Sequence, residues 1–293
     1  MSKHFFFIIN PNSEKKSGEL QKIIINFFKD LDERCTIFIS KNFKHIGELA
    51  IKAVEFKANT VVACGGDGTV NMVGQVLVGT DIQLGIIPIG SGNGVANNIK
   101  INNNYQEALK KIILGNSLKI DVGRIDNYYF FSNVGFGLEA EFIRHYKLRN
   151  SHGFLSYFIS FFKSLNSYKP SKFQVEINNS SREKIIPYML MVVNTNEQGY
   201  GISVSPEARI DDGFLNYISI SKTNLVTIVY YVLRILLGLS IKNERISKFE
   251  EIKSVKVISK NKYISLQIDG EYLFLPKKST KISVIPKALN ILC

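Results

Sequence analysis

"VVACGGDGTVNMV", residues 61–73, places three glycines and one acid directly behind an apolar run. Val61, Val62 and Ala63 read as a short buried strand, ended by the turn signal Gly65-Gly66. From Thr69 the apolar spacing of Val70, Val73, Val76 and Leu77 is helical. A glycine-rich turn from strand into helix aims backbone N–H groups and a helix N-terminus at one point, which suits a phosphate. An acid beside a phosphate repels it unless a divalent cation lies between them. Asp67 therefore points to a phosphate bound with magnesium, and Gly65, Gly66 and Gly68 to a ligand lying close against the backbone.

A second such loop follows. In "IIPIGSGNGVANN", residues 86–98, an apolar strand again runs into glycines, and Ser91 and Asn93 add hydrogen-bonding groups. The spacing Gly90-x-Gly92-x-Gly94 differs from the dinucleotide fingerprint G-x-G-x-x-G. The chain also holds no G-x-x-x-x-G-K-[ST] and no protein-kinase catalytic loop. One glycine loop is often only a tight turn. Two at adjacent strand ends, with "NPNSEKKSG" (10–18) after the first strand, indicate a nucleotide site.

Around these loops the first ~125 residues alternate apolar strands with amphipathic helices, the signature of a parallel α/β sheet. Strands are expected near 5–9, 35–39, 60–64 and 84–87, and helices near 18–31, 44–57, 68–79 and 105–114. Asn10, Gly65 and Gly90 each follow a strand end, where ligands bind in open α/β sheets. After "KIDVGRID" (119–126) the texture changes. Strand-like runs at 127–134, 172–178, 185–194, 213–221, 252–259, 262–269 and 280–285 carry helical insertions at 137–168 and 223–238. The expected fold class is an α/β nucleotide-binding domain, 1–124, followed by a mainly antiparallel domain, 125–293, whose C-terminal tail returns to the first.

The chain has 293 residues and a net charge of +12, from 37 basic and 25 acidic side chains. That balance favours anionic partners such as nucleotides, nucleic acid or an acidic membrane face, although the lysines are scattered and form no block of five. Cys35, Cys64 and Cys293 are odd in number and lack metal or redox spacing, which fits a reducing cytoplasm. His4, His45, His145 and His152 form no metal spacing. The longest apolar stretch, residues 225–239, is shorter than a membrane span and contains Arg234.

GGDGT (65–69), the run Pro88 with Gly90 to Asn93, and the acid-Gly-acid of "LQIDGEYL" (266–273) resemble the diacylglycerol kinase and sphingosine kinase-like lipid kinases. "NVGFGLEAEF" (133–142) and "SPEARIDDGFLNYISI" (205–220) match the bacterial members in order and spacing, so the likeness covers nearly the whole chain. It implies an α/β domain followed by a β-sandwich. It also implies ATP as phosphoryl donor, touched by Asn10, the loop Gly65, Gly66, Asp67, Gly68 and Thr69, and the loop Gly90, Ser91, Gly92 and Asn93. By the same resemblance Asp67 acts on Mg2+ through water and Asp121 belongs to that network. Asp269 is the general base toward a lipid hydroxyl, and Asp211, Asp212 and Glu271 are associated with a second, structural metal.

The implied acceptor is diacylglycerol or a sphingoid or ceramide-like alcohol, met at an anionic membrane by a peripherally attached cytoplasmic enzyme. Nucleic acid is not an implied partner, and a homodimer is allowed. The chain departs from the family pattern at Met72, where many members carry Glu, at Gly94 and Asn97, where an acid or Arg is usual, and at Asn216, where an acid is usual. Each departure removes charge. Taken alone, Asp269-Gly270 reads as a type I′ hairpin turn and Asp211-Asp212-Gly213 as another turn. Two further readings stay open: a phosphotransferase similar to NAD kinases, acting on a soluble nucleotide, and a nucleotide- or lipid-sensing protein without catalysis. Arg144, Lys147 and Arg149 beside the aromatic segment 153–165 are expected to suit a lipid surface.

Overall fold

The computed structural model describes residues 2–10, 14–90, 92–101, 103–149, 153–197, 201–221, 223–239, 241–242 and 246–293. It divides into two compact units, Met1–Val122 with Lys287–Cys293, and Gly123–Pro286.

In the first unit β1 (His4–Ile9), β2 (Arg34–Ile39), β3 (Thr60–Gly65) and β4 (Gln83–Pro88) run parallel in the order β2-β1-β3-β4. Helices α1 (Glu14–Phe28), α2 (Phe43–Glu55) and α3 (Asp67–Leu77) join successive strands; α4 (Gly94–Asn98) and α5 (Tyr105–Leu114) then lead to β5 (Ser117–Ile125). After His4, β1 is apolar because parallel strands are covered on both faces, and Phe5 to Ile9 are all fully buried. Leu20, Ile24 and Phe28 recur four apart on α1 and are buried; Phe28 sets its ring edge on Phe5 and Phe7, at 5.4 and 5.5 Å. Asn290 and Ile291 pair in parallel with Gln83 and Leu84, so the far side of β4 is covered. β2 lies on one side of β1, and β3 and β4 on the other. The chain therefore reverses direction across the sheet between β1 and β3, and the C-terminal ends at that reversal are Asn10 and Gly65-Gly66.

The second unit contains β6 (Tyr128–Phe130), β7 (Asn133–Gly137), α6 (Leu138–Lys147), α7 (Phe154–Ser167), β8 (Phe173–Ile177), β9 (Glu183–Ile185) and β10 (Pro187–Val193). It continues through β11 (Leu215–Ser221), α8 (Leu225–Leu236), β12 (Ser247–Ile252), β13 (Ser254–Ser259), β14 (Ile264–Ile268), β15 (Glu271–Leu275) and β16 (Ser279–Leu292). One antiparallel sheet has the order β12-β11-β10-β7-β14-β15, and β16, β13, β8 and β9 pair antiparallel in a second. Phe136, Val192, Tyr217 and Leu266 of the first sheet share one core with Val175, Val257 and Ile282 of the second. This is a β-sandwich. The alternate residues Met191 and Val193 of β10 face outward, where they pack with Ile218 and Ile220 of β11 and Tyr231 of α8.

The fold class is the expected one: an α/β domain followed by an antiparallel sandwich with helical insertions. Local boundaries differ for physical reasons. The run 185–194 is two strands, because Pro187 has no N–H to continue the ladder. The run 127–134 is broken after Phe130, because the N–H groups of Phe131 and Ser132 are taken by a side chain, described below. α1 spans 14–28 rather than 18–31. β5 and the five-residue α4 are additional elements.

Candidate active site

The two glycine loops lie back to back in the first unit. A Cβ built on Gly90 falls 2.6 Å from the Cα of Gly66 and 2.8 Å from Asn93 Oδ1, and one built on Gly66 falls 3.3 Å from the Cα of Gly90. A Cβ on Gly65 falls 2.2 Å from Thr69 Oγ1. The protein's own packing excludes a side chain at Gly65 and Gly90 and leaves a tight contact at Gly66. The close neighbour anticipated from the sequence is the other loop. The Ile89 N–H donates to the Gly65 carbonyl at 2.9 Å and ties the two strand ends together.

Gly66 is the N-cap of α3 in extended backbone and supplies no side-chain cap, so the positive end of an eleven-residue helix opens at this point. Asn10 donates from its N–H to the Cys64 carbonyl at 3.0 Å and from Nδ2 to Thr69 Oγ1 at 3.1 Å, bridging the ends of β1 and β3. Asp67 Oδ1 accepts the Val95 N–H at 3.4 Å, which places its carboxylate toward the first turn of α4. Asn93 holds a left-handed backbone, with φ 52° and ψ 40°. Its Nδ2 donates to the Gly90 carbonyl at 2.7 Å and to Asn103 Oδ1 at 3.2 Å. Asn93 Oδ1 is buried with no hydrogen-bond partner among the described residues. Ser91 lies outside the described residues.

Two further positions of this unit are explained by packing. Met72 turns toward α2, its Cε only 3.1 Å from where a Cβ on Gly47 would stand. Asp121 is fully buried within β5, and its Oδ1 accepts the Lys287 N–H at 2.8 Å, at a residue whose φ is 52°.

In the second unit Asp269 and Gly270 form a two-residue hairpin loop between β14 and β15 with φ of 46° and 82°, the geometry of a type I′ turn. The Asp269 carboxylate does much more than turn the chain. Its Oδ2 accepts the Phe131 N–H at 2.8 Å, and its Oδ1 accepts those of Ser132 and Asn133 at 2.8 and 2.9 Å. Gln267, 4% exposed, braces both sides: its Oε1 accepts the Gly270 N–H at 2.9 Å and its Nε2 donates to Asn133 Oδ1. Asn194 Nδ2 donates to the Phe131 carbonyl at 3.0 Å, and the Ser132 hydroxyl meets that of Thr195 at 3.0 Å. Asn133, Asn194, Thr195 and Gln267 were not singled out from the sequence.

Glu139 stands beside this network. A Cβ on Gly135 would fall 2.6 Å from Glu139 Cβ and 2.9 Å from Gln267 Nε2. Glu139 Oε2 is buried without a hydrogen-bond partner among the described residues. Burial pushes this carboxyl well above the ordinary range, against the opposing pull of the Glu139 and Leu190 N–H groups.

The remaining acids have partners of their own. Asp211 Oδ1 lies 3.4 Å from Arg209 Nε, Asp212 Oδ1 accepts the Phe214 N–H at 2.9 Å, and Glu271 pairs with Lys147. No group of three His, Cys, Asp or Glu side chains suited to a metal occurs among the described residues. Arg144 grips Glu141 with two nitrogens, at 3.0 and 2.6 Å. Two cations of the basic cluster read from the sequence are thus matched by carboxylates within the unit.

Two family models cover the chain almost end to end. Residues 4–125 match the diacylglycerol kinase catalytic domain, and residues 132–293 match the YegS C-terminal NAD kinase beta sandwich-like domain. A curated diacylglycerol kinase of Staphylococcus aureus (strain bovine RF122 / ET3-1) is 28% identical over 282 residues, covering 93% of this chain and 87% of that protein. The crystal structure of a diacylglycerol kinase from Bacillus anthracis str. Sterne superposes with a TM-score of 0.77 at 18% identity, covering 99% of this chain and 96% of that one. Yeast NADH kinase, solved in complex with NADH, gives a TM-score of 0.56 at 10% identity over 100% of this chain and 83% of its own. At those identities the two structures establish a shared fold.

Proposed function

We propose, from the premise that the chain belongs to the diacylglycerol kinase-like family in both of its domains, that it transfers the γ-phosphoryl group of ATP to the hydroxyl of diacylglycerol or a related lipid alcohol. The observation that carries the proposal is the pair of glycine loops packed against each other where the parallel sheet reverses direction. Uncovered backbone and an uncapped helix N-terminus suit a polyphosphate there, and Asn10, Gly65 to Thr69 and Gly90 to Asn93 are its proposed ligands. The donor set fits magnesium held with a nucleotide, since that ion takes one or two carboxylates and fills its other positions with phosphate and water. Asp67 is the proposed ligand, with Asp121 in the surrounding network. Magnesium, when bound, neutralises charge on the transferring phosphoryl group. The donors do not fit a second resident metal, because Asp211, Asp212 and Glu271 each engage a partner of their own.

Asp269 is the proposed acceptor of the lipid hydroxyl's proton. A carboxylate is a weak base at its reference pKa of ~3.9, and three backbone N–H groups on its oxygens hold this one in a fixed orientation. A weak base suffices when the proton leaves late, after the attacking oxygen has begun to bond to phosphorus. The protein's larger contribution is to hold donor and acceptor in place. No helix among the described residues is long and apolar enough to cross a membrane. The lipid is proposed to be met at an anionic membrane surface on the cytoplasmic side. The deciding assay offers the protein labelled ATP, Mg2+, a panel of diacylglycerols and sphingoid lipids, and NAD. Label in a lipid alcohol is expected. Label in NAD alone would move the activity to a soluble nucleotide, and label nowhere would leave a binding protein.

A further inference from the structure

The hydrogen bonds around the Asp269 turn run in one direction. At one end the Gly270 N–H can only donate, so the Gln267 atom that meets it at 2.9 Å is the carbonyl Oε1. Gln267 Nε2 therefore faces Asn133 and donates to its Oδ1, which turns Asn133 Nδ2 to the Ser132 hydroxyl at 3.1 Å. At the other end the Glu197 carbonyl can only accept, so the Thr195 hydroxyl, 3.0 Å away, gives its proton there. Thr195 Oγ1 then accepts from Ser132 Oγ at 3.0 Å. Backbone groups at both ends thus fix every amide and hydroxyl between them.

This chain is buried where apolar side chains would pack as well. Ser132, Asn133, Thr195 and Gln267 are all buried, while Leu266 and Ile268, on either side of Gln267 in β14, point the other way into the sandwich core. Gln267 stands opposite Gly135 of β7, where a Cβ would fall 2.9 Å from Gln267 Nε2, so the glycine leaves the amide its place. Buried polar groups contribute little more to stability than apolar groups of the same shape, but their hydrogen bonds admit one geometry. What this geometry holds is the segment 131–133, whose three N–H groups grip the Asp269 carboxylate. The Asp269 N–H returns the contact, donating to the Asn133 carbonyl at 2.9 Å. Gln267 ties the turn that bears the carboxylate to the segment that grips it.

We propose that Gln267 is a positioning residue that sets the direction of the Asp269 carboxylate, acting through Asn133 on one side and Gly270 on the other. Its consequence for turnover rests on the lipid-kinase reading; the coupling itself does not. Gln267→Met keeps the length of the side chain and removes both bonds. In that variant the Phe131, Ser132 and Asn133 amides should exchange with deuterium at least ~10-fold faster, while those of β1 keep their wild-type rates. The kcat should fall roughly 10–10²-fold at unchanged KM for ATP, the scale of a reacting group held about 1 Å out of place. Added to Asp269→Asn, Gln267→Met should lower kcat no further, because the carboxylate it acts through is already gone. Gln267→Glu guards against misfolding: its carboxylate still accepts the Gly270 N–H but sets an oxygen against Asn133 Oδ1. Its turnover relative to wild type should rise as pH falls, since the protonated acid regains a donor for Asn133. Wild-type exchange at 131–133 in both variants overturns the proposal. A loss of kcat that is as large in the Asp269→Asn background overturns it too, and makes Gln267 a structural residue only. A wild-type protein that labels no lipid would refute the kinase reading and leave the exchange rates to decide the coupling. Labelled lipid with unmoved exchange would refute the positioning alone.

Discussion

Where the two glycine loops meet, Gly66 and Gly90 lack side chains so that two turns can touch; at the Asp269 turn, one side chain gathers the backbone of a distant segment. The first arrangement makes a surface out of exposed peptide groups, and it tolerates almost nothing added. The second fixes a carboxylate by occupying its oxygens, and it tolerates almost nothing removed. The two regions thus place opposite demands on the same material, and a substitution in each, one proposed to bind phosphate and the other to accept a proton, should fail in a different way.

The largest difference is expected from Asp67→Ala. Removing the one carboxylate of the first loop should lower turnover by at least ~10²–10³-fold and abolish the normal Mg2+ dependence, while the fold is kept. Steady-state kinetics over a magnesium titration would check this, and a variant with wild-type turnover makes Asp67 a turn residue. Asp269→Asn should cost ~10²-fold in turnover at unchanged ATP affinity. It also sets an NH2 group against a backbone N–H, so its unfolding midpoint should fall too, by ~1–3 kcal/mol of stability. Loss of stability with full turnover would make the carboxylate purely structural.

Gly90→Ala probes the contact between the loops. The new methyl meets backbone, so roughly 1–3 kcal/mol of stability should be lost by urea unfolding, together with nucleotide binding. Glu139→Gln separates the second region by pH. Burial raises the folded pKa, so the folded chain keeps that proton to higher pH than the unfolded chain does. Its stabilising effect is complete below the ordinary value of 4.5 and is lost as pH rises toward the folded value, at no more than about 1.4 kcal/mol per pH unit. The amide should flatten that slope and leave the variant more stable than wild type at neutral pH. The smallest effect belongs to Gly47→Ala. Helix propensity alone predicts a gain of up to ~1 kcal/mol; contact with Met72 should cancel or reverse it, and a shorter side chain at 72 should restore it.

What could be read from the sequence follows the same divide. β1, β3 and β4 carry apolar runs buried on both faces, with Asn10, Gly65 and Gly90 at or just beyond their ends, so their positions and the loops behind them were legible from pattern alone. β5 was not, because Asp121 and Gly123 interrupt it, and the acid is accommodated only by the N–H of Lys287, far along the chain. The end of α1 was overrun because residues 29–31 carry no Gly or Pro to stop a helical pattern. At the Asp269 turn the hairpin was visible as Asp-Gly between strand-like runs. The three donors were not, since backbone N–H groups look alike in every sequence. Gln267 and Asn133 became meaningful only once β14 and β7 were seen to be neighbours.

The strand that closes the first sheet has a consequence in time. Residues 287–293 belong to the first unit, although the whole of the second unit, residues 123–286, is made before them. At ribosomal rates of about 5–20 residues per second, β4 therefore waits roughly ten to forty seconds with its outer edge unpaired. During that interval the nascent sheet is an open template for other strands, and Asp121 has yet to receive the Lys287 N–H. Synthesis of residues 287–293, rather than completion of the first 122 residues, is the event that finishes the first unit.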